Sequence, residues 1–340
     1  MPKETSRVAI TGGAGFLGSH IAKQQAAKGN EVVIVDNFSS GSVENLRDLG
    51  VTQEENNCSV VTGDLRSYDI ARDSLKNIDT VYHFAAEVGS VDYLHGSASR
   101  ELDALQANLV VDANVLRACR ENDVSCIIYA SSVSVYSFEK QMGAGAVFKE
   151  DDATERISPE GGYGWSKLMA EIELGMMPDV SVGIARIFHA YGENIYIKPD
   201  RSQVIASLMR KAMNYPREEF IVWGNGEQQR CFVFIDDVLD ALDRLEKHVK
   251  QQKGKSLTVN LGSEDEVTIR ELAEQIVRIS GKNIKLKFDA SKPTGVLSRK
   301  PDLTRIRKEL SWMPTTNLHD GLERTYEWFL SRLTRFSKLP

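Results

Sequence analysis

The first half of the chain alternates short apolar, β-branched runs with longer segments of helical period. Residues 8–11, 31–36, 59–62, 80–84, 126–130 and 180–186 read as strands. Their cores are apolar at successive positions, as in Val32-Val33-Ile34-Val35 and Val81-Tyr82-His83-Phe84, the pattern of strands covered on both faces. Strand, helix and strand in series predict an α/β fold, a doubly wound parallel sheet of the Rossmann type. Past residue 186 the rhythm changes. A stretch over 191–200 containing Gly, Pro and Asn leads into a predicted helix over 202–213, a strand over 220–223 and a turn at Gly224-Asn225-Gly226. Thr268 and Glu271 form a capping-box pattern at the head of a helix over 268–280. Residues 284–288 read as a strand, 303–310 and 318–333 as helices, and 250–255 as a solvated loop. The expected division is a Rossmann domain over 1–186, to which 227–262 return, and a smaller C-terminal α/β lobe from 187–226 and 263–340.

A length of 340 residues suits one large domain with an appended lobe. With 41% hydrophobic and 26% charged residues the whole chain is expected to fold. A net charge of -6 without a run of Lys and Arg predicts neither a nucleic-acid partner nor an anionic membrane surface, so an anionic ligand must be met by a local pocket. Cys58, Cys119, Cys126 and Cys231 show no CxxC spacing and read as buried free thiols. The six histidines include no HExxH, so no metal site is expected. The N-terminus runs into a strand without an apolar segment, and no stretch approaches ~20 apolar residues, which predicts a cytoplasmic protein.

Thr11-Gly12-Gly13-Ala14-Gly15-Phe16-Leu17-Gly18 closes the first predicted strand and opens a helix. Gly12 permits the tight turn, Gly15 lets a pyrophosphate approach backbone N–H groups, and Gly18 lets the helix pack close to the sheet. Asp36 ends the second strand about twenty residues on, where a carboxylate accepts hydrogen bonds from an adenosine ribose and disfavours a 2′-phosphate. Alone it would serve as a turn cap before Asn37; with the glycines it predicts NAD. Asp64-Leu65 follow the third strand, where Asp64 either reaches the adenine or forms a turn. Phe84-Ala85-Ala86 end the fourth strand with small residues that let the cofactor approach the carboxyl edge.

Tyr163 and Lys167 lie one helical turn apart on one face. A nearby cation favours phenolate, so Lys167 is expected to lower the Tyr163 pKa and let the phenol act as a base. Such a pair is common on helices. Ser132, at the carboxyl end of the fifth strand where ligands of open parallel sheets bind, is placed to share the same proton.

With these motifs in order the chain resembles the extended short-chain dehydrogenase/reductase family, specifically its nucleotide-sugar epimerases and dehydratases, from Arg7 to about Leu333. The resemblance rests on the glycine-rich turn, Val-Asp-Asn-Phe-Ser-Ser-Gly, Gly-Asp-Leu, Ser-Ser-Val-Ser-Val-Tyr, Tyr-Gly-Trp-Ser-Lys, Arg-Ile-Phe-His-Ala-Tyr-Gly and Trp223-Gly-Asn-Gly-Glu-Gln-Gln-Arg230. It implies NAD held through the cycle, Ser132 and Tyr163 around the reacting hydroxyl, and Lys167 bracing Tyr163 and the nicotinamide ribose. It also implies a nucleotide-diphosphate sugar in the C-terminal lobe, with Trp223 in the sugar-nucleotide segment and Arg230 and Arg299 on the diphosphate. A homodimer paired through helices over 102–119 and 165–176 is implied too.

In such enzymes Tyr163 would remove a proton as C4 of the sugar gives hydride to NAD, and return of hydride to the other face of the ketone makes a 4-epimerase. A 4,6-dehydratase carries an Asp-Glu pair where this chain has Val133 and Ser134, neither an acid nor a base at neutral pH. The segments 222–237 and 293–312 resemble GDP-mannose 3,5-epimerase and its relatives, which use a Cys and a Lys. Lys198 is near the position of that Lys, while Ser134 replaces the Cys. An NADPH-linked reductase is opposed by Asp36, and an NAD-binding regulator by the intact Ser132, Tyr163 and Lys167. His189 stands where the family has an Asn; it would donate to phosphate, as imidazole or imidazolium, or pack at a strand end. Glu87 would orient a sugar hydroxyl or stay a solvated loop carboxylate. Loops over 89–97, 139–149 and 194–201 are expected to shape specificity, with 139–149 covering the sugar.

Overall fold

The computed structural model describes residues 5–51, 57–177 and 179–336. The first four residues, expected to lead straight into the first strand, and 337–340 at the end of the lobe lie outside the described residues. Seven strands form one parallel sheet: β1 (Arg7–Thr11), β2 (Glu31–Asp36), β3 (Cys58–Thr62), β4 (Thr80–His83), β5 (Cys126–Ser132), β6 (Ser181–Ile187) and β7 (Ser256–Leu261). Their order is β7-β6-β5-β4-β1-β2-β3, so the direction of winding reverses between β1 and β4. That reversal opens a crevice beyond the carboxyl ends of the strands.

Alternation along β1 and β2 feeds two cores. Val8, Ile10, Val32 and Ile34 face one side with Leu242 and Leu245, while Ala9, Val33 and Val81 face the other with Val115, Leu116 and Leu174. Each such aliphatic side chain contributes roughly 1.5–3 kcal/mol when fully buried. The first core runs on without a break into the C-terminal elements through Met209, Leu272, Ile276 and Phe329. These belong to helices Val204–Asn214, Ile269–Ser280 and Leu318–Phe336. Asp237, in the first turn of helix Ile235–Gln251, fastens the intervening loop by accepting from the backbone N–H groups of Thr315 (2.8 Å) and Thr316 (3.0 Å).

Thr268 and Glu271 form the capping box, with N–H···O distances of 3.1 and 2.8 Å. Gly224 and Gly226 both take positive φ, as their turn requires. Other boundaries moved. Helix Ile235–Gln251 runs into the segment expected to be a loop, and the strand expected over 284–288 lies at Lys287–Asp289, where it pairs with Ile221–Trp223. The 89–97 loop holds a short helix, Val91–His95, opened by the Ser90 hydroxyl. All four cysteines are buried and unbridged. No helix among the described residues is long and apolar enough to cross a membrane.

Candidate active site

A cavity of about 880 Å³ lies at the switch point of the sheet. Every residue expected from the sequence to touch cofactor or substrate lines it, except Trp223 and Arg230. At its floor the glycine-rich turn is compressed by its own backbone. A Cβ on Gly18 would stand 2.2 Å from the Gly12 carbonyl oxygen, and one on Gly12, at φ +66, would stand 2.9 Å from the Ala85 nitrogen. Thr11 locks the same corner: its hydroxyl accepts from the N–H groups of Phe84 (3.2 Å) and Ala85 (3.3 Å) and pairs with His83 Nδ1 at 2.6 Å. Gly12, Gly15 and Gly18, with no side chains to intervene, line the cavity at the start of helix Phe16–Ala27. That is what close approach of a pyrophosphate needs.

Asp36 is 7% exposed, and its two oxygens accept from the N–H groups of Ala14 (2.9 Å) and Phe38 (2.7 Å). Burial pushes its pKa up while those two donors pull it down. Each oxygen keeps a lone pair for a ribose hydroxyl. Asp64 is tied to Arg66 at 2.6 Å and to Asn37 at 3.3 Å, and the Arg66 guanidinium holds its pKa at about 2. The cradle of small backbone atoms and the acceptor pair at Asp36 fit NAD.

Ser132 ends β5, and Tyr163 and Lys167 lie on helix Gly161–Gly175, which packs beside it. The expected lowering of the Tyr163 pKa by Lys167 does not hold in the chain by itself. Burial pushes the phenol up to about 12; the neighbouring Ser132 hydroxyl and the charge of Arg299 pull it down, and Asp112 adds to the rise. The reason is geometric. The Lys167 ammonium rests against the Tyr129 ring, 4.6 Å from its centroid, and stands 5.9 Å from that of Tyr163. Lys167 is itself 2% exposed, and burial pushes its pKa down against the carboxylates of Asp112 and Glu171.

Those carboxylates were not singled out by sequence. Glu171 is held by Arg186 at 2.6 Å in a buried pair that ties the helix to β6. Asp112 lies under the cavity, 2.9 Å from His83 Nε2, and accepts from the Tyr129 hydroxyl at 3.2 Å. Asp112, the one charge on the buried stripe of helix Ala98–Glu121 beside Asn108, Val115 and Cys119, was the available signal.

On the substrate side Arg299 is the hub. Its guanidinium pairs with Glu160, donates to Gln141 Oε1 at 2.9 Å and meets His189 Nε2 at 3.4 Å. Glu160, at the head of helix Gly161–Gly175, also accepts from the Ser134 hydroxyl at 3.2 Å. Glu160 was missed, although it stands three residues before Tyr163. His189 adopts φ +49, a conformation that Asn tolerates well and His less often. Burial, with Arg299 and Arg230 nearby, pushes its pKa well down, which favours the neutral imidazole. Glu87 is held in place: Arg201 pairs with it at 2.8 Å and the Tyr93 hydroxyl donates to it. Lys198 lines the cavity with no ion pair among the described residues.

Two expected substrate residues are not brought to the cavity. Arg230 is 7% exposed, and its guanidinium donates to the carbonyls of Gln229 (2.7 Å) and Val296 (2.9 Å), so it braces the turn before Arg299. Trp223 is exposed on its strand, with the Lys292 ammonium 5.9 Å above the ring. Nor does the 139–149 segment cover the cavity. None of its residues lines it, although Gln141 reaches Arg299 on its wall, and Val147–Phe148 pair with Lys300–Pro301.

Residues 8–262 match the NAD dependent epimerase/dehydratase family. The chain is 31% identical over 338 residues to GDP-mannose 3,5-epimerase 1 of Oryza sativa subsp. indica, covering 98% of this chain and 84% of the relative. It superposes with a TM-score of 0.77 on MoeE5 in complex with UDP-glucose and NAD, at 29% identity, covering 96% of this chain and 100% of the other. UDP-N-acetylglucosamine 4-epimerase from Methanobrevibacter ruminantium M1, in complex with UDP-N-acetylmuramic acid, superposes with a TM-score of 0.82 at 25% identity, covering 97% and 100%. A Rossmann sheet whose switch-point cavity carries the glycine turn, Asp36 and the Ser132–Tyr163–Lys167 set therefore belongs to the NAD-dependent epimerase/dehydratase family of nucleotide-sugar enzymes, with NAD as its cofactor.

Proposed function

We propose that the protein inverts C4 of a nucleotide-diphosphate sugar through a transient 4-ketosugar. The observation that carries this reading is that Ser132, Tyr163 and Lys167 line the same cavity as the glycine-rich cofactor turn. NAD, when bound, supplies a hydride acceptor and a positive charge. Tyr163 takes the proton of the C4 hydroxyl, Ser132 holds that oxygen, and Lys167 keeps a cation beneath both. Arg299 gives up part of its pairing with Glu160 to meet the substrate diphosphate. Residues 187–226 and 263–340 form the substrate lobe in this reading. A second copy of the chain covers the apolar side chains exposed on the helices flanking the site, Leu109 and Val110 on one and Trp165, Met169 and Ile172 on the other; sedimentation at a dimer mass is the expected result.

A second reading, enolisation at the carbons beside the ketone, is favoured by Lys198 facing the cavity and by the 31% identity to a GDP-mannose 3,5-epimerase. One experiment separates the two. The protein is incubated with UDP-, GDP-, CDP- and dTDP-sugars in heavy water and the products are read by NMR. A 4-epimer without deuterium supports the first reading. Deuterium at C3 or C5 replaces it with the second, and no reduction of bound NAD by any sugar removes both.

A further inference from the structure

The Arg299 guanidinium, with which the chain would meet the substrate diphosphate, already holds an anion of the chain itself. Resting on that reading of Arg299, we propose that Glu160 is a specificity residue. It competes with a diphosphate for Arg299 and gives way when an attached sugar offers its carboxylate a hydroxyl, so the site favours a nucleotide sugar over the free nucleoside diphosphate. Both side chains line the cavity, Glu160 8% exposed and Arg299 12%. Each nitrogen of the guanidinium has one partner. Nε donates to Gln141 Oε1 at 2.9 Å, one Nη meets His189 Nε2 at 3.4 Å, and the other pairs with Glu160 Oε2. Of these three partners only Glu160 is an anion, so a rival anion contests its place while Gln141 and His189 keep the guanidinium where it is.

The backbone of Glu160 is fixed beside the reacting groups. Its N–H donates to the Ser134 carbonyl at 2.9 Å, and its carbonyl accepts from the Gly164 N–H at 3.0 Å in the helix that carries Tyr163. The Ser134 hydroxyl donates to the side chain at 3.2 Å, again at Oε2. Both side-chain contacts therefore fall on one oxygen. Among the described residues no hydrogen-bond donor reaches Oε1.

The charges around the pair set the direction of the effect. Burial and the charge of Arg299 push the Arg230 pKa down, and Glu160 acts against them. Glu160 thus weakens the positive field that an incoming anion meets. A diphosphate that takes the guanidinium brings negative charge beside a buried carboxylate and removes its cation, and a buried charge without a partner is costly. Ser134 supplies the carboxylate with one donor. Ionised phosphate oxygens supply none, whereas the hydroxyls of a sugar do. A nucleotide sugar therefore compensates the displaced Glu160, and a free nucleoside diphosphate is repelled by it.

The test measures by calorimetry how the NAD-loaded full chain and its variants bind UDP, GDP, CDP and dTDP, each against its glucosyl derivative. In Glu160→Gln the free diphosphate is expected to bind roughly 10- to 100-fold tighter and the derivative to change less than about three-fold, because like-charge repulsion is relieved without a sugar to compensate it. The ratio of the two affinities then moves toward the free diphosphate. An unchanged ratio overturns the proposal, since a carboxylate that only props Arg299 affects both ligands alike, and so does a ratio that moves toward the derivative. Arg299→Gln keeps the two levels apart. Weaker binding of every diphosphate upholds Arg299 as the ligand whatever Glu160 does, and unchanged binding removes that reading and the proposal with it. Near-ultraviolet circular dichroism reports folding. If Glu160→Gln does not fold, Glu160→Asp decides, its carboxylate being one methylene short of Arg299 and of a sugar hydroxyl. A ratio shifted toward the free diphosphate supports the proposal, and an unchanged ratio overturns it.

Discussion

The cofactor edge and the substrate side of the cavity are built by different means. At the cofactor edge the backbone makes the shape: Gly18 passes Gly12 so closely that a Cβ would stand 2.2 Å from a carbonyl oxygen. On the substrate side long side chains make it, and Arg299 is placed by Glu160, Gln141 and His189 from three other segments. The difference lies in freedom. A backbone contact admits one residue type at one position, whereas an arginine satisfies the same motif whether it faces the cavity, as Arg299 does, or turns to carbonyls behind it, as Arg230 does.

The largest expected effect falls on the chemistry of the cofactor edge. Tyr163→Phe should lower kcat by about 10²- to 10⁴-fold with the KM for nucleotide sugar and the bound NAD little changed. Steady-state kinetics and nucleotide content after purification check this, and a kcat within a few-fold of the original would take Tyr163 out of the reaction. Next comes Gly18→Ala. The atom its methyl would strike is backbone, so the helix must shift, at about 1–3 kcal/mol of stability and a weaker hold on NAD. Trp223→Ala, on the substrate side but away from the cavity, should change stability by less than about 0.5 kcal/mol and leave KM alone. Urea midpoints for both variants test the contrast. Similar losses from the two would abolish it.

The same distinction governs what was legible in the sequence. The sheet, its doubly wound order and the positions of Gly12, Gly18, Asp36, Ser132 and Tyr163 follow from periodicity and spacing because each is tied to a strand end or a turn. Boundaries past β6 were less legible: Lys287–Asp289 is a three-residue strand whose pairing with Ile221–Trp223 is not local. Glu160 and Asp112 were harder to read for a further reason. Each meets a partner from a different segment, His83 for Asp112 and Arg299 for Glu160, and no local pattern encodes such a meeting. The sign of the Tyr163 shift was missed on the same ground, since spacing along a helix does not report where an ammonium rests.

Asp112 sharpens the comparison, because it lies under the cofactor edge yet works electrostatically. Its charge raises the pKa of Tyr163 and also that of Lys167. In Asp112→Asn both should fall. Phenolate then forms at lower pH, and Lys167 loses its proton at lower pH. With NAD bound, whose positive charge brings phenolate formation down, both limbs of the pH profile of kcat/KM are expected to move down together. A profile of the NAD-bound enzyme tests this. Movement of one limb alone would mean that Asp112 touches only one of the two groups, and a rise in KM without a shift would make its role structural.

The smallest effect probes the substrate side through His189. Its neutral ring accepts from Arg299 at Nε2 and donates from Nδ1 to the Cys231 carbonyl at 3.3 Å, and burial beside two arginines disfavours the proton. In the unfolded chain the same imidazole takes a proton as pH falls through 6.5. The unfolded state then binds more protons than the native one, so stability is lost as pH falls below that value, by at most about 1.4 kcal/mol per unit. His189→Asn keeps a residue that tolerates φ near +49 and removes the proton uptake. Urea midpoints at pH 8, 6.5 and 5 should therefore diverge toward acid, the original chain losing ground to the variant. Parallel midpoints would mean that the native ring is protonated too, and that the charges around Arg299 balance differently from the pairing with Glu160 described above.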